Sequence, residues 1–157
     1  MNRQETLDAL NARGIAYTLV EHPAVYTIEE MEQLGLTAQG TVLKNLFLRD
    51  KNGRRHFLVC LPEDRSADLK DLAARIGSTT LSFASEDRLA RHLGLTRGAV
   101  TPLGVLSPTA GEVAVYLDAS LAGKTIGVHP CDNTATVWIG CDDIIALIKE
   151  RNAFFML

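Results

Sequence analysis

The sequence is poor in several features that mark whole classes of proteins. Aromatic residues make up only 6% of its 157 residues, it has three cysteines, and its net charge is −3. With Cys60, Cys131 and Cys141 at least one thiol is unpaired and no CxxC spacing occurs, which argues against a disulfide-built scaffold and favours a reducing cytoplasm. The negative charge argues against binding to nucleic acid by bulk charge, but leaves room for a weak contact through a local basic patch.

Long hydrophobic runs are also missing. No apolar stretch approaches the ~18–20 residues that span a bilayer, and residues 1–14 lack the apolar core of a secretory signal, so we expect no membrane partner. No repeat or Pro/Gly/Ser-rich linker divides the chain, and its length suits one core of about 100–200 residues. We therefore predict a single domain over residues 1–157. The sequence does not fix the oligomeric state, and we take a monomer as the starting assumption.

Helix and strand signals follow one another along the whole chain. Thr27 and Glu30 have the spacing of a capping box, and residues 50–53 have the composition of a hairpin turn. The patterns predict helices over 3–13, 27–34, 67–76, 85–94 and 142–151, and strands over 15–22, 40–49, 56–61, 113–117, 125–128 and 134–139. Residues 98–111 are predicted to be loop or short edge strand. The fold class is α+β, with helices packed on a mixed, largely antiparallel sheet.

Lys44 and Asn45 interrupt both faces of a strand that is otherwise apolar. Successive residues of a strand point to opposite faces, so Lys44 falls on one apolar face and Asn45 on the other. Burying an amide without a partner costs about 1–3 kcal/mol, and burying an ammonium group costs more. Two interpretations stay open: a lysine that reaches solvent beside a satisfied core asparagine, or a pair that lines a cavity.

His129 and the segment 98–104 are further candidates. His129 ends a predicted strand, and Pro130 prevents simple continuation of the ladder, so the imidazole could face a cleft or lie on the surface at a turn. The segment GAVTPLG can form a tight loop whose backbone faces a ligand, or a loop without function. It is neither a P-loop nor a GxGxxG motif.

Metal binding and thiol catalysis are weakly supported. The four histidines are scattered, and no HxH, HxxxH or CxxC provides chelating spacing, so we expect no metal or other cofactor. Cys131 lies two residues after His129, which suggests a Cys–His pair, but Pro130 intervenes and no third, orienting group is evident. Cys60 is most simply a small core residue.

Three segments occur together and in order: GTVLKNLFLRD at 40–50, GAVTPLG at 98–104, and GVHP at 127–130 followed by NTATVWI. With these segments the chain resembles, over essentially its whole length, the YbaK/prolyl-tRNA synthetase editing-domain family, and within it the free-standing PrdX/ProX branch of ProXp-ala-type deacylases. The resemblance implies a curved, partly barrel-like sheet surrounded by helices. It also implies hydrolysis of the ester that joins a wrong amino acid, chiefly alanine, to the tRNA for proline, without metal or covalent intermediate.

The resemblance also implies roles for individual residues. Lys44 would anchor the terminal adenosine, Asn45 would orient the amino group, ester or water, and His129 would hydrogen-bond the sugar or ester. The backbone from Gly98 through Thr101 to Pro102 would hold the aminoacyl group. Apolar residues of the right kind for a small pocket are Val25, Ile28, Met31 and Leu43, and basic residues that could contact RNA are Arg49, Lys51, Arg54, Arg55, Arg88, Arg91 and Arg97.

The implied partners are the acceptor end of a mischarged tRNA and a prolyl-tRNA synthetase. Two alternatives remain. One is a sister deacylase acting on cysteinyl- or seryl-tRNA, and the other is a non-catalytic module that binds aminoacyl-tRNA.

Overall fold

The computed structural model describes residues 1–35 and 40–157, which form five α-helices and eight strands. The helices are α1 (Arg3–Ala12), α2 (Ile28–Gln33), α3 (Leu69–Ile76), α4 (Glu86–Leu93) and α5 (Cys141–Lys149). The strands are β1 (Tyr17–Glu21), β2 (Thr41–Arg49), β3 (His56–Pro62), β4 (Ser82–Phe83), β5 (Ala114–Leu117), β6 (Thr125–Val128), β7 (Ala135–Gly140) and β8 (Phe154–Met156). Short 3-10 helices cover Pro102–Leu106 and Ala119–Leu121.

All eight strands belong to one mixed sheet. Its order is β1-β7-β6-β2-β3-β5-β8, and the short β4 also pairs with β2. Antiparallel pairs join β1 to β7, β6 to β7, β2 to β3 and β2 to β4, whereas β2–β6, β3–β5 and β5–β8 are parallel. The predicted α+β class and mixed sheet are confirmed. In the described part of the chain the ladder ends at β1 and β8, so the sheet is not closed.

The strand pair β2–β3 forms the centre of the core. Every residue of β3 is buried, and β2 contributes apolar side chains to both faces. On one face Leu43 and Phe47 belong to the large cluster that includes residues of α1, α4 and α5. On the other face Leu46 and Leu48 pack with Leu72 of α3. This confirms that β2 is a strand covered on both sides, which leaves its polar residues as exceptions to be explained.

Local signals place most of the helix ends. Ser85 accepts a hydrogen bond from Arg88 N at the start of α4, and Gly94 ends that helix in the left-handed region at φ 64°. At α2 the predicted capping box is only half formed. Thr27 Oγ1 accepts from Glu30 N at 3.1 Å, but the Glu30 carboxylate lies 3.4 Å from that same hydroxyl instead of bonding the backbone of Thr27.

Two strands were not predicted from the sequence. β4 has only two residues and β8 only three, which is too short for a recognisable alternation of apolar and polar residues. Both form because a neighbouring strand already offers an edge: β4 pairs with the end of β2, and β8 pairs with β5. The predicted loop over 98–111 contains a 3-10 helix, which begins at Pro102 where the missing N–H is harmless.

A histidine cluster closes the hairpin end of the sheet. His56, the first residue of β3, is buried and stacks on Phe47 at 5.7 Å between ring centroids, and the His92 ring lies 4.0 Å away. Arg88 Nη1 lies 3.0 Å from His56 Nε2, and since a guanidinium only donates, the imidazole accepts and is neutral. Burial, together with His92 and Arg88, lowers the pKa of His56 to about 4.

This cluster predicts acid sensitivity. Because the pKa of His56 is lower in the folded chain than the usual value of about 6.5, its contribution to stability is complete above that value and is lost as the pH falls towards 4. Urea unfolding at a series of pH values should show a free energy of unfolding that drops by at most about 1.4 kcal/mol per pH unit from this group. In His56→Gln the drop between pH 6.5 and 5 should be shallower; an identical slope in both proteins would contradict this assignment.

Candidate functional site

A cavity of about 240 Å³ opens where β2 and β6 part. The two strands pair only at Thr41–Ile126 and Val42–Gly127, and β4 does not pair with β2 until Leu48. Among the described residues, the middle of β2 therefore has no neighbouring strand on that side. The cavity is lined by residues of the segment leading into α2 (Val25, Tyr26, Thr27, Ile28 and Met31), of β2 (Val42, Leu43, Lys44 and Asn45), of the turn before the 3-10 helix (Gly98 and Val100), and around the β6–β7 connection (Gly127, Val128, His129 and Thr136).

The structure brings most of the predicted site residues to this cavity. Lys44, Asn45, Gly98, His129, Ile28 and Met31 all line it, as do Val25 and Leu43. Thr101 and Pro102 do not. Thr101 is fully buried, and its Oγ1 accepts from Leu103 N at 3.3 Å, so these two residues open the 3-10 helix behind the cavity wall.

Asn45 is incompletely satisfied. Its Nδ2 donates to the carbonyl oxygen of Val100 at 3.1 Å, which ties β2 to the turn after Gly98. Its Oδ1 is buried and has no hydrogen-bond partner among the described residues. A buried acceptor without a donor costs about 1–3 kcal/mol, so Asn45 is not a fully satisfied core asparagine. A ligand N–H or O–H group in the cavity could supply the missing donor.

Lys44 reaches the rim of the site from the other face of β2. Its ammonium group donates to the carbonyl oxygen of Arg65 at 2.8 Å, just beyond the end of β3. The side chain is half-buried, so its stem packs along the sheet while the charge stays near solvent. The lysine therefore combines the two interpretations that the sequence left open: it reaches solvent, and it lines the cavity.

His129 is held in one neutral form. Its Nδ1 lies 2.9 Å from the carbonyl oxygen of Ala135, which can only accept, so Nδ1 carries the hydrogen and Nε2 is an acceptor. Burial lowers the pKa of His129, while the Ala135 carbonyl opposes that shift. At neutral pH the cavity thus contains an imidazole nitrogen with a free lone pair.

Two glycines allow the walls to come together. Gly98 has φ 88°, and a Cβ on it would lie 2.7 Å from Cδ1 of Tyr26. A Cβ on Gly127 would lie 2.7 Å from Cζ3 of Trp138, which packs with Met31 behind the wall. Tyr26 and Trp138 could not be predicted as site residues from the sequence, because a lone aromatic residue carries no periodic signal.

The surroundings of Cys131 do not activate its thiol as a nucleophile. It is half-buried, burial raises the pKa of its thiol, and it is absent from the cavity lining. The thiol that reacts is the thiolate, which a raised pKa disfavours. Cys131 also has φ 60°, an unusual backbone conformation for a residue with a side chain. All three cysteines are free, and Cys60 is fully buried as expected.

Several of the basic residues considered for RNA contact are engaged within the protein. Arg88 donates to the carbonyl oxygen of Gly53, Arg91 pairs with Asp87 at 3.0 Å, and Arg55 lies over the Phe57 ring. Arg49 donates to the carbonyl oxygens of residues 50 and 51. Arg97 is different: its side chain is 86% exposed, it lies 4.0 Å from Glu86, and it directly precedes Gly98 of the cavity.

Among residues 1–35 and 40–157, no three His, Cys, Asp or Glu side chains are grouped as a metal ion would require. Within the same residues, none of the helices has the length and apolar character needed to span a membrane.

Known proteins resemble this chain over most of its length. The family model described as the aminoacyl-tRNA editing domain matches residues 22–147. The chain is 47% identical over 154 residues to the prolyl-tRNA editing protein ProX of Acetoanaerobium sticklandii, covering 98% of this chain and 94% of that protein. It is 40% identical over 151 residues to the prolyl-tRNA synthetase associated domain-containing protein 1 of Danio rerio, covering 94% and 82%.

The fold is shared with solved structures as well. The crystal structure of a candidate trans-editing enzyme for prolyl tRNA synthetase superposes with a TM-score of 0.74 at 22% identity, covering 97% of this chain and 93% of that one. The family match extends over most of the chain and includes the strand that carries Lys44 and Asn45 as well as His129. The resemblance found in the sequence is thus confirmed: the chain belongs to the aminoacyl-tRNA editing domain family.

Proposed function

We propose that the protein is a trans-editing deacylase that hydrolyses the ester between a wrong amino acid, alanine first of all, and the tRNA for proline. The observation that carries this proposal is that one small cavity is lined by two acceptors, the unpartnered Asn45 Oδ1 and His129 Nε2, which accepts because Nδ1 holds the hydrogen. An aminoacyl-adenosine ester has N–H and O–H donors on both sides of its ester bond, in the α-amino group and in the free ribose hydroxyl. The site offers an acceptor for each.

The chemistry follows from these groups. We assign Asn45 Oδ1 to the α-amino group of the substrate, because an ammonium ion is the donor that best satisfies a buried amide oxygen. We assign His129 Nε2 to a hydroxyl group of the terminal ribose, since a neutral nitrogen that accepts cannot bond the ester carbonyl. Lys44 provides a positive charge at the rim for a phosphate or ribose oxygen. A ribose hydroxyl held by His129 is then well placed to help activate the attacking water.

Size accounts for the specificity. A synthetase site shaped for proline cannot exclude the smaller alanine, because a missing methylene group costs only ~1–3 kcal/mol. A second site must therefore accept alanine and reject proline by its walls. Val25, Met31 and Val42 are buried and pack with Trp138 in one cluster, which makes that wall firm. Placing the larger ring of proline in a cavity with firm walls costs about 1–3 kcal/mol through overpacking.

The proposed partners follow from the substrate. We infer that the whole of residues 1–157 acts as one editing domain on the acceptor end of mischarged tRNA in the cytoplasm, with a prolyl-tRNA synthetase as the source of that tRNA. One sheet built from strands between Tyr17 and Met156 supports the single domain. The free cysteines agree with a reducing compartment.

The decisive experiment is a panel of charged tRNAs. We expect release of alanine from alanyl-tRNA of the proline type, no release of proline from the correctly charged tRNA, and no change with a metal chelator. Cysteinyl- and seryl-tRNA complete the panel, because their preferential cleavage would replace alanine as the substrate. Protection of every ester against spontaneous hydrolysis would instead identify a binding module, and loss of activity with chelator that zinc restores would contradict the metal-free mechanism.

Lys44→Ala tests the charge at the rim. Because Lys44 would hold a phosphate or ribose oxygen and so position the ester, we expect its removal to lower activity by about 10²-fold with an unchanged unfolding midpoint. Lys70→Ala is the matched control, because it removes the same charge from an exposed position on α3, away from the residues considered for RNA contact. Cys131→Ser should also retain activity. Near-normal turnover by Lys44→Ala would mean that this lysine is only an edge residue, and an inactive, folded Cys131→Ser would restore the thiol mechanism.

Met31→Ala and Ile28→Ala test exclusion by size. Either variant enlarges the apolar side of the cavity, so prolyl-tRNA should be cleaved at a rate that the parent does not reach. Leu72→Ala is a control that opens space in the core on the other side of the sheet, next to α3. The rate to measure is single-turnover deacylation of both tRNAs. If the trimmed variants lose alanine cleavage without ever accepting proline, the walls do not exclude proline sterically.

A further inference from the structure

Tyr26 has an unusual position for a large aromatic side chain. It lines the cavity, yet the residue is 67% exposed, which places its ring at the mouth. Gly98 packs against one side of that ring, where even a Cβ would lie 2.7 Å from Cδ1 and 3.0 Å from Cε1. The roles proposed above for Asn45, Lys44 and His129 do not involve the Tyr26 ring.

The backbone around Tyr26 is fixed. Val25 N donates to the carbonyl oxygen of Asn133 at 3.2 Å, and Asn133 Nδ2 donates to the carbonyl oxygen of Val25 at 3.0 Å. On the other side Thr27 caps α2. Since this segment is bound to the β6–β7 connection and to a helix end, the backbone that carries the ring has little freedom left to lose on binding a ligand.

Resting on the proposed function, we propose that the exposed ring of Tyr26 is the stacking platform for the terminal adenine of the tRNA. When the ester lies between Asn45 and His129, the base attached to the same ribose has to leave through the mouth of the cavity. Nucleobases stack on aromatic side chains, and this stacking does not depend on bulk positive charge. A protein of net charge −3 therefore gains affinity for the RNA end where a basic surface cannot supply it.

Another strongly exposed aromatic residue provides a matched comparison. Phe83 of β4 is 62% exposed, close to the value for Tyr26, but it pairs with Leu48 beyond the gap in the sheet and does not line the cavity. An effect of general surface hydrophobicity would be shared by both residues, whereas stacking of the terminal base would be confined to Tyr26.

Two non-hydrolysable probes separate base stacking from other roles of the ring. The first is 3′-alanylamido-3′-deoxyadenosine, and the second is the same alanylamido sugar without the adenine. In binding titrations with the full chain, Tyr26→Ala should weaken the first probe by about 5- to 150-fold, the range of base–aromatic stacking, and leave the second unchanged. Tyr26→Phe and Tyr26→Trp should keep the affinity for the first probe, and Phe83→Ala should alter neither.

Each other outcome overturns the inference. Equal weakening of both probes would make Tyr26 a wall for the amino acid, and no weakening of either would leave the ring outside the binding surface. With alanyl-tRNA as substrate, Tyr26→Ala should raise KM with kcat retained; a loss confined to kcat would also contradict stacking. These results are distinguishable from failure of the proposed function, which would show as a parent enzyme that cleaves no mischarged tRNA.

Discussion

The site depends on the early separation of β2 from β6. Parallel pairing ends at Val42–Gly127, although β2 continues for seven more residues to Arg49. If β6 followed β2 further, the backbone and side chains of the neighbouring strand would fill the space that is now the cavity. The separation is tolerated because β2 is held elsewhere, by β3 along its other edge and by two apolar clusters on its faces. The firmness of the core is thus what permits an opening in its sheet.

The same opening explains why polar groups occur in the middle of a core strand. Asn45 anchors the turn at Val100 through its amide nitrogen and leaves its oxygen unpaired, a loss of about 1–3 kcal/mol in the free protein. His129 is fixed by Ala135 in the tautomer that leaves Nε2 as an acceptor. Both residues have one polar atom bound to a backbone carbonyl and one left for a ligand. Their orientation is therefore set before substrate arrives, which is the condition for an electrostatically preorganised site.

The sequence allowed the central hairpin, the helix caps and the polar interruption of β2 to be predicted, because each depends on neighbours within a few residues. A hydrogen bond from Gly53 N to the carbonyl oxygen of Asp50 closes the hairpin turn, and Ser85 and Gly94 cap the two ends of α4. What could not be predicted depends on distant contacts. β8 needs the edge of β5, the partner of Lys44 is a carbonyl 21 residues away, and the role of Tyr26 becomes visible only once Gly98 packs against it. The backbone of Thr101 and Pro102 was expected to hold the aminoacyl group; these two residues do not line the cavity and open the 3-10 helix that follows Val100.

In such a site the small cavity recognises the amino acid, and the sparsely charged rim contacts the RNA. The cavity, at about 240 Å³, suits an amino acid and part of a ribose, so it can distinguish side chains but cannot by itself distinguish one tRNA from another. The described basic residues at the rim include Lys44, which donates to the carbonyl oxygen of Arg65, and the exposed Arg97, which directly precedes Gly98 of the cavity. Because each phosphate neutralised adds a slope of about −0.9 to the dependence of log K on log salt for duplex nucleic acid, two such contacts give only a shallow salt dependence. Affinity for the RNA therefore has to come mainly from contacts that salt does not screen, and discrimination between amino acids from the cavity walls.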